Sequence, residues 1–282
     1  MGDKDWDLII KPQNKWYQID FASIWRYRDL LMLLVRRDFV AQYKQTILGP
    51  LWFLIQPLFT SLAYVLIFGN IAKISTDGNP KMLFYMAGIT LWTYFSDCLA
   101  KTSSTFIANA SVFGKVYFPR LIIPLSVLVS NLIKFGIQFL IFLALWTYYY
   151  SATDKVNPHW EYIWLVPFLI ILMAGLGLGF GITISSLTTK YRDLTYLVGF
   201  GVQLLMYASS VVIPISGMSE STKSLMLLNP LTSIVEAFKY VFLGNGYFDV
   251  YWLLYSLGFM LVLLTLAIII FSRVEKTFMD TV

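Results

Sequence analysis

The chain is poor in the residues from which catalytic and metal centres are built. Its 282 residues include one histidine and one cysteine, and only 13% are charged. A lone cysteine, Cys98, excludes an intrachain disulfide, and its place within an apolar run marks it as a small buried hydrophobe. The histidine, His159, sits between Pro158 and Trp160 in a predicted loop, where a surface position is the default. Neither an H-E-x-x-H zinc motif nor a Ser-His arrangement is supported. No G-x-x-x-x-G-K-[ST] run occurs, so the chain cannot cradle nucleotide phosphates in the P-loop manner. Any ATP hydrolysis coupled to it belongs to another polypeptide. The first 20 residues are polar, carry charge of both signs and lack an apolar signal core, so the first membrane span is expected to direct insertion.

What is abundant is apolar surface. Hydrophobic residues make up 58% of the chain and aromatic residues 17%, with a mean hydropathy of +0.68. This composition predicts an all-α integral membrane protein. Runs near 50–72, 83–104, 121–149, 162–187, 195–214 and 250–271 reach about the 20 residues that a helix needs to cross the hydrocarbon core. Six spans put both termini on one side.

Basic residues assign that side. Lys4, Lys11, Lys15, Arg26, Arg28, Arg36, Arg37 and Lys44 precede the first span. Lys101, Lys115 and Arg120 follow the second, Lys190 and Arg192 the fourth, and Arg273 and Lys276 the last. The opposite side is left with Lys73, Lys81, Lys155, Lys223 and Lys239. The positive-inside rule makes both termini cytoplasmic. The net charge of +5 is then topology and attraction to anionic lipid, and no signature of a nucleic-acid fold accompanies it.

Periodicity organises the rest. Asp20 precedes a helix with Phe21, Ile24, Trp25 and Leu31 on one side, a candidate amphipathic helix at the cytoplasmic membrane surface. Gly175, Gly177, Gly179 and Gly181 form two offset G-x-x-x-G pairs, which admit another helix closely without saying which one. Between the fifth and sixth spans, residues 214–249 are too apolar for a loop. Asn229-Pro230 splits them into pieces too short to cross, which predicts two re-entrant or interfacial helices. In the third span Asn131, Lys134 and Gln138 share a face that avoids lipid, with Asp97 or Glu236 as the candidate partner of Lys134. Trp52, Trp146, Trp160, Trp164, Trp252 and Tyr148 to Tyr150 sit at span ends as an interfacial belt.

One stretch is more specific than any of these features. Arg37, Asp38, Phe39, Tyr43, Lys44, Gln45, Thr46, Leu48, Gly49, Leu51, Trp52 and Pro57 lead from a cytoplasmic helix into the first span. They resemble the entrance motif of permeases of bacterial polysaccharide exporters, whose fold is the type-2 ABC transmembrane domain. Asn109 to Pro124 is similar to the coupling segment of that family, and Tyr191-Arg192-Asp193-Leu194 is a shorter third match. Two departures accompany these matches: Gly114 inside the coupling segment, and Ala41-Gln42 where a basic residue is commoner before Tyr43.

The resemblance implies a cytoplasmic segment over 1–49, a type-2 ABC transmembrane domain over 50–272 and a cytoplasmic tail over 273–282. It implies a multi-pass protein of the bacterial inner membrane that pairs with a second copy of itself and with two ATPase subunits. Those partners hold ATP and magnesium, and this chain has no cofactor of its own. The implied activity is export of polysaccharide on undecaprenyl diphosphate, with O-antigen first and teichoic acid or capsule as related substrates. Arg26, Arg28, Arg36, Arg37 and Lys44 become candidate ligands of the headgroup phosphates, for which guanidinium forks are suited. Gln56, Phe59, Tyr64, Phe68, Tyr196, Phe200, Gln203 and Tyr207 become candidates to line the pathway, their rings offering faces to sugars. Asn109, Val112, Phe113, Val116, Tyr117 and Phe118 become the contact with the ATPase. Two other readings stay open at the level of sequence: an exporter of drugs or other lipophiles with the same architecture, and a membrane enzyme acting on polyprenyl lipids. The enzyme lacks an acidic cluster or histidine at either interface.

Overall fold

A computed structural model describes residues 21–44, 46–109, 113, 118–191 and 193–278. Every regular element among the described residues is helical. Helices α1 (Phe21–Arg26) and α2 (Arg28–Tyr43) precede the first long apolar stretch. That stretch opens with a 3-10 turn at Gly49–Leu51, continues as α3 (Trp52–Tyr64) and ends in a π-helical turn at Val65–Ile71. There follow α4 (Lys81–Ser103), the single turn α5 (Thr105–Ala108), α6 (Ile122–Ala152), α7 (Leu165–Thr188) and α8 (Leu194–Tyr207). The chain closes with α9 (Glu220–Leu227), α10 (Pro230–Leu243) and α11 (Val250–Phe278).

Among the described residues, four helical stretches are long and apolar enough to cross a membrane: Gly49–Ile71, Ile122–Ala152, Leu165–Thr188 and Val250–Val274. They correspond to the first, third, fourth and sixth of the expected spans. The other two differ for separate physical reasons. Helix α4 has the length, 23 residues, but not the apolarity. It is the innermost helix, packed by α3, α6, α7, α8 and α10, and every residue from Leu83 to Trp92 is buried. A helix covered by protein on all sides needs no lipid-compatible surface and tolerates Asp97 and Lys101. Helix α8 has the apolarity but only 14 residues. Beyond Tyr207 the chain leaves the helix and runs inward, burying Ser209, Ser210, Val211, Val212 and Ile215. Non-helical backbone is tolerated at membrane depth where protein covers it.

The split at Asn229-Pro230 is real. Helices α9 and α10 meet at 105°, and taken together they would count as a fifth span. Pro230 occupies the first turn of α10, where its missing N–H costs nothing. The Asn229 side chain accepts from Leu231 N at 3.1 Å and donates to Ala208 O at 2.9 Å, tying the bend to the end of α8. At the other end of α10, Gly244 takes the left-handed conformation, φ +79°, that closes helices. A Cβ there would collide with the Asn157 carbonyl. The α6–α7 connection is held to this end by His159 N donating to Val241 O at 2.9 Å.

The glycines of α7 serve two neighbours within the same chain. Gly175 and Gly179 face Met260 and Leu263 of α11, whereas Gly177 and Gly181 face the backbone of α4 at Phe95 and Leu99. A second, smaller core lies where α2, α5, α6, α7 and α11 converge. Leu34, Phe106, Phe113, Phe118, Ile122 and Phe271 are buried in it, with Phe106 stacked on Phe271 at 4.7 Å.

Charge placement needs one correction. Lys239, counted above among basic residues of an outer loop, is fully buried within α10 beside Glu236, 3.6 Å away. Lys81 instead turns back on the first span, donating to Gly69 O and Asn70 Oδ1 at 2.7 Å each and so neutralising carbonyls at its C-terminal end.

Candidate entrance, pathway and coupling segment

The cationic entrance is built on α1 and α2. The inner face of α2 is anchored by buried Leu34 and Val35 and by Tyr27, Leu30 and Leu31 packed on the second core or half-buried beside it. Its outer face carries Arg28, Met32, Leu33, Arg36 and Arg37, all exposed. Arg26 and Lys44, at the two ends of this segment, are exposed as well. Arg37 is engaged by its neighbour: Nε donates to Asp38 Oδ1 at 2.9 Å and a terminal nitrogen lies 2.8 Å from the same oxygen. Arg28 lies 3.9 Å from Asp29 and 5.8 Å from the centre of the Trp25 ring. The five cations thus share one exposed surface rather than one pocket.

Of the eight candidate pathway residues, three converge. Tyr64 and Phe68 meet edge to face at 5.3 Å, and Phe68 lies 6.3 Å from Tyr207 of α8. The Tyr64 hydroxyl reaches Met206 Sδ at 3.3 Å, a partner not foreseen from the sequence. The other five are exposed: Gln56 and Phe59 on α3, and Tyr196, Phe200 and Gln203 on α8. Tyr196, Phe200, Gln203 and Tyr207 recur at helical spacing and form one uncovered face. On its inner side α8 leaves an apolar cavity of about 280 Å³ against α4 and α7, walled by Leu99, Phe180, Ile184, Val198 and Val202.

Between α4 and α6 runs a polar seam. Lys134 pairs with Asp97 at 2.7 Å, and Lys101 donates to Asn131 Oδ1 at 2.9 Å. Of the two partners weighed for Lys134, Asp97 is the one it meets, since Glu236 is taken by Lys239. Asn131, Lys134 and Gln138 all face protein and are buried.

In the coupling segment Asn109 donates to Thr105 O at 3.0 Å and its carbonyl accepts from Phe113 N at 3.0 Å. Phe113 and Phe118 point into the second core, their rings 5.8 Å apart, with Arg120 5.4 Å from the Phe113 ring. They pack this segment onto its own chain. Val112, Val116 and Tyr117, like Arg192 of the third match, lie outside the described residues. The exposed apolar side chain here is Ile107 on α5, which periodicity did not single out because its helix is a single turn.

Residues 29–243 match the ABC-2 type transporter family. The chain belongs to this family. The matched region runs from the start of α2 to the end of α10, so it takes in the cationic face, the first span, the coupling segment, α8 and the bent helix pair. As an ABC-2 permease the chain is a multi-pass membrane component and not itself the catalytic subunit. It is similar to two proteins of Klebsiella pneumoniae named O-antigen export system permease protein RfbA, 27% identical over 254 and 256 residues. Those alignments cover 89% of this chain and 94% of each relative. A protein of Myxococcus xanthus with the same name is 28% identical over 262 residues, 92% of this chain and 98% of the relative.

Proposed function

We propose that this permease exports undecaprenyl-diphosphate-linked polysaccharide, O-antigen first, across the bacterial inner membrane as the transmembrane part of an ATP-driven exporter. The observation that carries the reading is the near full-length similarity to three O-antigen export permeases. The geometry is consistent with it at three points. Guanidinium groups of α1 and α2 stand on the surface that a lipid headgroup would cross, and bind phosphate oxygens in pairs. The uncovered aromatic and glutamine face of α3 and α8 is left for a second copy, and a two-fold pair of such faces encloses a pathway whose rings let sugars slide. The topology in this reading has six spans, with α4 and α8 as the second and fifth, α9–α10 re-entrant, α2 interfacial and both termini cytoplasmic. Residues 1–49 and 273–282 flank the transmembrane domain on that side.

Two ATPase subunits, carrying ATP and magnesium, complete the exporter. Purified with them, the permease should retain bound lipid-linked glycan identifiable by mass spectrometry, and the permease alone should hydrolyse no ATP. Recovery of a small lipophile in place of glycan would replace the substrate assignment. The contact with the ATPase is assigned to the segment from Asn109 to Phe118 together with the exposed Ile107. Ile107→Asp should reduce co-purification of the ATPase several-fold with normal insertion, since it places an unpaired charge in the contact. Phe113→Asp should instead lower the yield of folded permease, because that ring is buried in its own chain. Equal ATPase recovery with Ile107→Asp would move the contact elsewhere.

A further inference from the structure

We infer that Lys101 is the cation of a phosphate-binding pocket beneath α2, distinct from the exposed arginines of the entrance. An open pocket of about 220 Å³ lies where α2, α4 and α6 meet, lined by Asp38, Ala41, Gln42, Lys101, Val127 and Ser130. Among the described residues, Lys101 supplies its one lysine or arginine side chain.

The case rests on the charges around that pocket. Lys101 makes no ion pair among the described residues, and its one hydrogen-bond partner there is the neutral amide oxygen of Asn131 at 2.9 Å. Each neighbouring carboxylate is already held by a different cation: Asp97 by Lys134 at 2.7 Å, and Asp38 by Arg37 at 2.8 Å. Three cations therefore face two carboxylates, and the unmatched one lies at the pocket wall. A half-buried ammonium whose neighbouring carboxylates, Asp97 and Asp38, are each in closer contact with another cation favours a further anion beside it. Two of its three N–H donors remain for that anion. The Gln42 side chain, half-buried at the same wall, has no hydrogen-bond partner among the described residues and adds an amide donor. An ammonium joined by the Gln42 amide donor suits a phosphate group, carried by a lipid headgroup or free in solution.

Position gives the pocket its use. Asp38, Ala41 and Gln42 belong to the stretch that resembles the family's entrance motif, and Lys101 lies at the end of the innermost helix. A phosphate captured by the exposed arginines and passed to Lys101 would move from the protein's surface to the flank of α4. In that role the inference rests on the export reading; as an anion site it stands by itself.

The test uses the complete exporter in detergent, with farnesyl diphosphate and inorganic pyrophosphate as probes in equilibrium binding. Lys101→Gln should weaken farnesyl diphosphate binding by roughly tenfold or more, and Lys101→Arg should restore most of it, while thermal unfolding stays near that of the parent. Gln42→Ala should weaken binding by a smaller factor. Farnesyl diphosphate bound much more tightly than pyrophosphate identifies a lipid headgroup, and equal binding identifies a free phosphate ligand; both support the pocket. Parent-like binding by Lys101→Gln, or no binding of either probe to the parent, overturns it. If Arg37→Gln with Lys44→Gln weakens binding and Lys101→Gln does not, the headgroup reading survives and this inference fails. If Lys101→Gln weakens binding but the purified exporter carries no glycan, the pocket stands and the export reading fails.

Discussion

Gly177→Leu and Gly181→Leu should each leave almost no folded permease in the membrane, whereas Gly175→Ala should be close to neutral. All four glycines lie on α7, two residues apart, yet they meet different kinds of neighbour. A Cβ on Gly177 would stand 2.9 Å from Cys98 Cβ and 3.0 Å from the Phe95 carbonyl oxygen. A Cβ on Gly181 would stand 2.6 Å from Thr102 Cβ and 3.1 Å from the Leu99 carbonyl oxygen. Those atoms belong to the backbone and first side-chain carbon of α4, which is held between five other helices and is costly to displace. At Gly175 the obstacle is Sδ and Cγ of Met260, an unbranched side chain with three rotatable bonds with which to move. Alanine at 177 or 181 should therefore cost about 1–3 kcal/mol, as overpacking of a filled core does, and leucine several times the added volume. Thermal unfolding in detergent and the monodisperse fraction after purification measure both effects. A Gly177→Ala protein as stable as the parent, beside a destabilised Gly175→Ala, would reverse the assignment.

The same stripe illustrates what sequence could and could not disclose. Glycines at a spacing of four announce close helix approach, because only the missing side chain matters to that inference. They do not say whether the neighbour is intramolecular, and here two interleaved pairs select two different neighbours. Hydropathy found the helices that meet lipid, since lipid contact is what it averages. The expected spans at 83–104 and 195–214 coincide with α4 and α8, which fall short of the other four because α4 is packed in protein and α8 ends where the chain turns inward at Ser209 and Ser210. The break at Asn229-Pro230 was legible because capping and a missing N–H act locally. The Lys134–Asp97 pair was legible only as one of two options, since face is fixed by helical period and partner by tertiary packing. The aromatic residues of the coupling segment read as knobs for a partner, but Phe113 and Phe118 fill the second core. Aromatic character shows that a side chain seeks burial without naming the surface that buries it. Lys101 is legible in the sequence only as a topology-setting charge, because a basic residue near a span end needs no further explanation.

Removing either member of the Glu236–Lys239 pair should destabilise the permease by about 3–5 kcal/mol, the scale on which a buried charge stripped of its partner is penalised. Both side chains are at most 1% exposed, and they lie one helical turn apart on α10. Lys239 does more than face Glu236. Its ammonium donates to the Ser210 carbonyl and sits 3.8 Å from the centre of the Phe84 ring, so it joins α10 to the N-terminal end of α4 and to the chain just after α8. Glu236 in turn accepts from Tyr247 N at 3.1 Å, fixing the turn between α10 and α11. Lys239→Met leaves a buried carboxylate and an orphaned Ser210 carbonyl. Glu236→Gln leaves a buried ammonium but keeps an acceptor for Tyr247, so its cost should be the smaller. Combining the two removes both charges, and the double variant should be more stable than Lys239→Met alone, with a coupling energy of about 1–3 kcal/mol in a double-mutant cycle. Because the tie to Ser210 holds the end of α8, Lys239→Met should also loosen the helix that carries Tyr196, Phe200, Gln203 and Tyr207. Faster amide exchange over residues 204–212 in Lys239→Met than in Glu236→Gln would register that loosening. Additive single effects, with equal exchange in both variants, would reduce the pair to two independent packing residues.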